Sequence, residues 1–322
     1  MRRSGLKEQA IEVVGVGENA TDTVMRVKVF PSPGGKEKIE AISREAGGSV
    51  ATALVTCRRL GLRVRYLGSV GDDDAGRFQA ASLRREGIDL RYLRTARGAQ
   101  SRMSQIILDT TTGERVVLWQ RDRRLALNPA EITPAVVAGA RAVHLDATDL
   151  PACKRIAHLA RKAAIPVVAD LDTVYPGLDR LMPLIDYLIA SSDFIAPATA
   201  ERDPYRALER LASVSKGRLV GVTLGRDGVL VFSEGRFLYS PGFHIDAVDT
   251  TGAGDVFHGG FIYGLVRGWG LKESLEFANA MAALNSTALG ARGGIASEQD
   301  ARRLMAHGDR NLNRDYVARG AL

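Results

Sequence analysis

Short runs of β-branched and aliphatic residues recur along the chain, at Ile11 to Val16, Val64 to Val70, Ala142 to Leu145, Val167 to Leu171, Tyr187 to Ala190 and Leu219 to Leu224. Stretches of helical periodicity separate them, an alternation that predicts a parallel sheet with crossover helices. A helix is expected from Ser49 to Leu60, closed by Gly61, and another from Gly76 to Arg85, closed before Gly87, because glycine takes the left-handed cap at no steric cost. Two stretches break the rhythm. Thr23 to Ile42 and Gln100 to Arg121 alternate with period two around Pro31, Pro33, Gly34, Gly35 and Thr112-Gly113, the signature of antiparallel hairpins. A small β-sheet built from about 20–45 and 99–122 is therefore expected to project as a lid. It must cover its apolar face by closing over the mouth of the main sheet or by pairing with a second copy. The expected fold class is three-layer α/β/α with a mainly parallel central sheet and a small projecting antiparallel β lid. It forms one domain over 1–322, with a polar tail at 311–322.

With 322 residues, 45% of them hydrophobic, the chain can bury a large core. Its 44 Lys and Arg are scattered among 37 Asp and Glu, so the formal charge of +7 reads as attraction for anionic metabolites and not as a nucleic-acid surface. Cys57 and Cys153 fall in helical segments, which indicates neither a disulfide framework nor a metal knuckle and fits a reducing cytoplasm. The apolar stretch from Ile11 to Val16 is short and contains Glu12, so it reads as a strand and not as a secretion signal. No run approaches the roughly 18 apolar residues that span a bilayer. The expectation is a cytoplasmic protein that works on a small molecule.

The most informative run is Asp249-Thr250-Thr251-Gly252-Ala253-Gly254-Asp255-Val256-Phe257-His258-Gly259-Gly260. It opens a long apolar helix to about Val266, which puts Gly252 to Gly254 at a helix N-terminus. Backbone N–H groups there lack intrahelical partners and the macrodipole adds roughly half a positive charge, so an anion belongs at that spot. Gly252 and Gly254 let a ligand oxygen reach the main chain with no Cβ in the way. Asp255 stands beside that place, where a carboxylate within reach of an alcohol can take its proton. Alternatively, Asp255 is a helix-starting acid that only complements the dipole. His258, next to Phe257 on the buried face, reads as a packed and hydrogen-bonded core histidine.

Asp249 to Asp255 resembles the D-T-x-G-A-G-D signature of the ribokinase-like (PfkB) carbohydrate kinases. The family's first signature is also matched, by Gly47-Gly48 ahead of Ala51-Thr52-Ala53 and by Gly68-Ser69-Val70-Gly71-Asp72-Asp73-Asp74-Ala75-Gly76; the likeness runs from about residue 10 to 306. The resemblance implies ATP-dependent phosphorylation of a sugar hydroxyl, with Asp255 as base and Gly252, Ala253 and Gly254 as the anion site. Asp22 would bind sugar hydroxyls and Gly47-Gly48 would bring backbone against the sugar, although Val50 stands where many relatives carry Asn. Thr223, Gly225 and Gly228 resemble the loop under the ATP phosphates, and Asn279 with Ala283 would wall the adenine pocket. Glu201 is retained from the family's N-x-x-E motif, which organises the Mg²⁺ water shell, but Ala198 replaces its asparagine. A K⁺ ion is implied beside Asp249 and Thr251, with carbonyls near Ala288 to Gly293. The substrate expected is a ketohexose or derivative, with nucleosides as the alternative. Arg102, Gln120 and Arg121 in or beside the lid are placed to meet an anionic substituent on the sugar, and a homodimer through the β lid is expected.

Two other classes compete. Gly15-Val16-Gly17-Glu18-Asn19-Ala20 is a G-x-G-x-x-A after a strand, but a dinucleotide fingerprint needs a helix next, and the alternating Thr23 to Phe30 follows instead. No P-loop motif occurs. A sugar-binding regulator that kept the fold and lost turnover is the non-catalytic alternative.

Overall fold

In the computed structural model, which describes residues 10–319, one sheet carries two cores. Val13 and Val14 are adjacent on β1 (Val13–Val16) and both fully buried, yet they belong to different clusters. Successive side chains of a strand face opposite sides, so a strand covered on both sides reads as a continuous apolar run.

After β1 come β2 (Ala20–Val27), β3 (Ala41–Gly47), α1 (Ser49–Arg59), β4 (Val64–Gly71), α2 (Asp74–Arg85) and β5 (Asp89–Ala96). The chain continues through β6 (Met103–Asp109), β7 (Arg115–Gln120), β8 (Ala142–Leu145), α3 (Leu150–Lys162), β9 (Val167–Leu171), β10 (Tyr187–Ser191), α4 (Ser192–Thr199) and α5 (Pro204–Ser215). It ends with β11 (Leu219–Thr223), β12 (Val229–Ser233), β13 (Arg236–Ser240), β14 (Gly242–Phe243), α6 (Ala253–Arg267), α7 (Leu271–Asn285), α8 (Glu298–His307), β15 (Arg310–Asn311) and α9 (Arg314–Ala318). The nine-stranded sheet has the order β13-β12-β11-β10-β9-β8-β1-β4-β5 and is parallel except for β12 and β13. Helices α3, α4 and α5 cover one face; α1, α6 and α7 cover the other. The expected three-layer α/β/α architecture is therefore observed.

Strand order reverses between β1 and β8: β4 and β5 lie on one side of that pair, β9 to β11 on the other. Crossovers diverge at such a point and leave a crevice at the carboxyl ends of the strands. Helix α6 is held tight against the layer because Gly259 faces Thr56 of α1 and Gly260 faces Ala278 of α7, positions where a Cβ would collide.

The lid is a four-stranded sheet, β3-β2-β6-β7. Its two hairpins are antiparallel within themselves but meet through a parallel β2–β6 pair. That junction was not legible from local alternation, because it joins segments 82 residues apart in chain number, in the register Val24↔Ile106. The polar stretch from Asn311 folds as well: β15 pairs with β14, and Tyr316 of α9 packs its ring 5.0 Å from that of Tyr239.

Candidate active site

Gly252 caps α6 in the left-handed region at φ 76°, and a Cβ there would lie 2.7 Å from the Ala291 Cα. The turn is thus seated on the loop after α7. Asp249 staples the two segments: one carboxylate oxygen accepts from the Thr251 N–H at 2.8 Å, the other from the Gly290 N–H at 2.9 Å. At Gly254 the picture is opposite, since a Cβ would meet nothing within 4 Å. Open space therefore faces the free N–H groups of the first turn, the property an anion site needs. From the lid, Arg115 donates to the Thr250 hydroxyl at 2.8 Å, so the lid already touches this turn.

Asp255, the third residue of α6, is half-buried by surface area, but the walls close around its carboxyl group and push its pKa up to about 7. Burial is the main cause; Asp170 and Asp172 add to it, while His258 and Arg292 oppose it. A base with that value is half ionised at neutral pH. The rate should therefore climb about tenfold per pH unit below pH 7 and level off above it, because only the deprotonated carboxylate accepts a proton. Steady-state kinetics from pH 5 to 9 check this, and a flat profile would exclude Asp255 as the base. His258 is buried as expected of a core residue: Nε2 lies 3.1 Å from the Ile189 carbonyl oxygen and Nδ1 lies 2.9 Å from that of Gly254. Its ring also stands 3.3 Å from Asp170. It thereby ties the head of α6 to β10 and β9.

On the sheet side, Asp22 is buried and its pKa is raised by that burial, with Ser104 and Arg292 pulling the other way. Gly47 packs directly on the Asp22 carboxylate, and Gly48, at φ 91°, sits 2.6 Å, measured from where its Cβ would be, from the Asn19 Cα. Asp146, at the carboxyl end of β8, accepts from the Ser49 hydroxyl at 2.6 Å and the Glu18 N–H at 2.7 Å, bridging the strand-order reversal. Arg292 is buried and donates to the Gly47 carbonyl at 2.8 Å, to Thr52 and to Ser82; burial lowers its pKa to about 10. Arg102 also belongs to this wall, 2.9 Å from Glu18. Gln120 does not: it is exposed, and alternation along β7 puts it on the face opposite Trp119, over which Arg102 stacks.

A cleft of about 460 Å³ lies on the other side of the turn. Thr223, Gly225, Gly228, Asn279 and Ala283 all line it, together with Thr250, Ala253 and Gly254. Gly228, at φ 97°, lies against the backbone of Ser240 to Gly242, so the loop after β11 is closed only with glycine there. The Asn279 amide donates to Ser240 and Pro241, which fixes the floor of the cleft. Glu201 lies outside the cleft lining, 3.3 Å from Arg210.

Several residues of the site were not singled out from the sequence. Asp146, Asp170 and Asp172 stand at or next to the ends of expected strands, where a carboxylate is itself a signal. Arg292 and Asn311, which lines the cleft, carry no local signal, because the first arrives from a loop and the second from the two-residue strand β15.

A family model described as pfkB family carbohydrate kinase matches residues 10–298. The ATP-dependent ribose-1-phosphate kinase of Halopiger xanaduensis is 30% identical over 88% of this chain and 94% of its own length. The ribokinase of Haemophilus influenzae is 28% identical over 91% of this chain and 97% of its own. A crystal structure of a putative ribokinase from Agrobacterium tumefaciens superposes with a TM-score of 0.86 at 27% identity, covering 96% of this chain and 99% of that one.

Proposed function

The chain belongs to the pfkB family carbohydrate kinases, and on that premise we propose that it transfers the γ-phosphoryl group of ATP to a hydroxyl of a sugar, with Asp255 as the base. The observation that carries this reading is the turn at the head of α6. Ala253 and Gly254 line the nucleotide cleft, while the next residue, Asp255, is electrostatically coupled to Asp170, Asp172 and Arg292 on the sugar side. One turn thus joins the two compartments that phosphoryl transfer must connect in line. ATP would lie over Thr223, Gly225 and Gly228 with its base along Asn279 and Ala283. The sugar would lie on Asp22, Gly47 and Gly48. As the alcohol attacks, Asp255 takes its proton and the N–H groups of Gly252 and Gly254 receive the charge of the transferring group, while the Ala253 N–H closes the turn on the Thr250 carbonyl. ATP turnover across ketoses, aldoses, their acidic derivatives and nucleosides tests the reading. A binder without turnover consumes no ATP with any of them.

Mg²⁺ is the cofactor this chemistry implies, and it supplies charge neutralisation on the phosphates. Among the described residues no group of three or more His, Cys, Asp or Glu converges as a metal cage, which suits an ion held by phosphate oxygens and water. Glu201, whose side chain is partly exposed beside Arg210, is the residue we assign to that water shell. For K⁺ we assign the backbone of the loop after α7 together with Asp249 and Thr251. We place the protein in the cytoplasm: both cysteines are buried and free, and no helix among the described residues is long and apolar enough to cross a membrane.

The outer face of the lid supports a homodimer. Ile42, Met25, Ile107 and Val116 stand in one cross-strand row, with Ile42 62% and Val116 43% exposed and Leu118 nearby at 58%. An apolar row on an exposed sheet favours a self-complementary contact. Leu118→Asp with Val116→Asp should convert a dimer into a monomer by light scattering. A wild-type monomer at micromolar concentration would exclude the dimer.

A further inference from the structure

Next to Gly47-Gly48, a small cavity opens between the exit of β1, the end of β4 and the 121–127 connection. Its walls include Asn19, Tyr66, Ser69, Arg102, Arg121 and Thr148. Asn19 is only 4% exposed, and neither atom of its amide has a hydrogen-bond partner. A buried, unpaired amide is costly and rare unless something else is meant to meet it. Tyr66 and Ser69 give their hydroxyl protons to the Gly17 and Leu125 carbonyls, so the free donors of the cavity are the amide and the two guanidinium groups.

Neither arginine is fully used by the protein. Arg102 packs its guanidinium 4.5 Å over the Trp119 ring, and its Nε is 2.9 Å from Glu18, out of line for a hydrogen bond. Arg121 reaches Asp149 at 3.3 Å, but that carboxylate also accepts from the Leu127 and Ala152 N–H groups and caps α3. Two half-engaged guanidinium groups and a free amide form a donor-rich recess, the chemistry that recognises a carboxylate or phosphate.

Building on the kinase reading, we propose that this cavity is the subsite for an anionic group on the sugar, so that the substrate is an acidic sugar derivative with Arg102, Arg121 and Asn19 as its anchors. Glu18 is the placeholder that the group displaces from Arg102. Glu18 faces Arg102 and Arg121 as cations and Asp146 and Asp172 as anions, and burial, the largest of these influences, pushes its pKa up to about 8. Near pH 7 Glu18 therefore already carries its proton and releases Arg102 readily; at about pH 9, where it is ionised in the free enzyme, it takes a proton from solvent once Arg102 turns to the substrate. At that pH one negative charge enters and one proton is bound, so the buried net charge does not change.

The test compares 2-keto-3-deoxygluconate and ribose 1-phosphate with neutral fructose and ribose, by ATP turnover and by thermal shift, in wild type, Arg121→Gln and Glu18→Gln. The best acidic sugar should exceed the best neutral one by at least about 100-fold in kcat/KM, towards the roughly 10⁴-fold that sites built on paired polar groups reach. Arg121→Gln should remove most of that preference and change neutral-sugar turnover little. Glu18→Gln should bind the acidic sugar at least as tightly as wild type and abolish the proton uptake that wild type shows at about pH 9 in calorimetry run in buffers of different ionisation enthalpy. Neutral sugars turned over as well as acidic ones, or parallel losses on both classes in Arg121→Gln, would overturn the subsite. If no sugar is phosphorylated, the kinase reading fails. The subsite is then judged by thermal shift alone: stabilisation by acidic sugars that Arg121→Gln removes supports it, and equal or absent shifts reject it.

Discussion

Asp255→Asn is expected to lower kcat by about 10² or more, the range for a removed general base, with ATP binding nearly unchanged. The amide keeps the size and much of the polarity of the carboxyl group, so the loss isolates proton transfer. Stability should move the other way. The folded state holds the Asp255 proton up to about pH 7, against a carboxyl value of 3.8 in the absence of the fold. Its stabilising contribution is therefore complete below the lower value and is lost as pH rises through the upper one. At pH 8 the wild type carries a buried carboxylate that the Asn variant lacks, and the variant should melt at the same or a higher temperature. Full turnover in Asp255→Asn would remove this residue from the mechanism. A variant that melts well below wild type would show that the loss of activity is structural.

Gly254→Val should cost about 10² to 10³ in kcat, comparable to losing an oxyanion donor, while the protein stays folded. The argument rests on space. A Cβ at Gly254 meets no protein atom within 4 Å, so the valine occupies the volume that the transferring phosphoryl group needs. Gly252→Ala is the contrasting case: φ is 76° and the new methyl group would run into the backbone of Ala291. That variant should lose stability as well as activity. Melting temperature separates the two effects. A folded and fully active Gly254→Val would place the phosphate elsewhere.

The legible parts of this protein were those whose cause is local. The strands at Ala142–Leu145 and Val167–Leu171 and the helix that starts at Ser49 lie where periodicity and glycine punctuation put them. The turn Gly252 to Asp255 could be read because a helix N-terminus, two glycines and an acid are contiguous in the chain. The wall around Asp22 was only half legible. Asp22 and Gly47-Gly48 have motif context, whereas Asp146, Asp170 and Arg292 meet them from separate elements. Gln120 shows the limit of reading one strand alone: its neighbours Trp119 and Arg121 belong to the inner side, and a shift of one residue exchanges faces.

Chain order and residue chemistry were enough to determine the three-layer parallel architecture, the family and the glycine-capped start of α6, because each depends on spacing between residues near one another in the chain. Tertiary structure alone decided that the Asp255 carboxyl has a pKa near neutrality, since that value comes from burial beside Asp170, which is brought in from β9. It alone decided that Arg102, Arg121 and Asn19 share a cavity, and that Asn311 lines the cleft beside the α6 turn. Electrostatics and cavity shape depend on distances through space, and in a chain of crossovers those distances are set by packing and not by sequence separation.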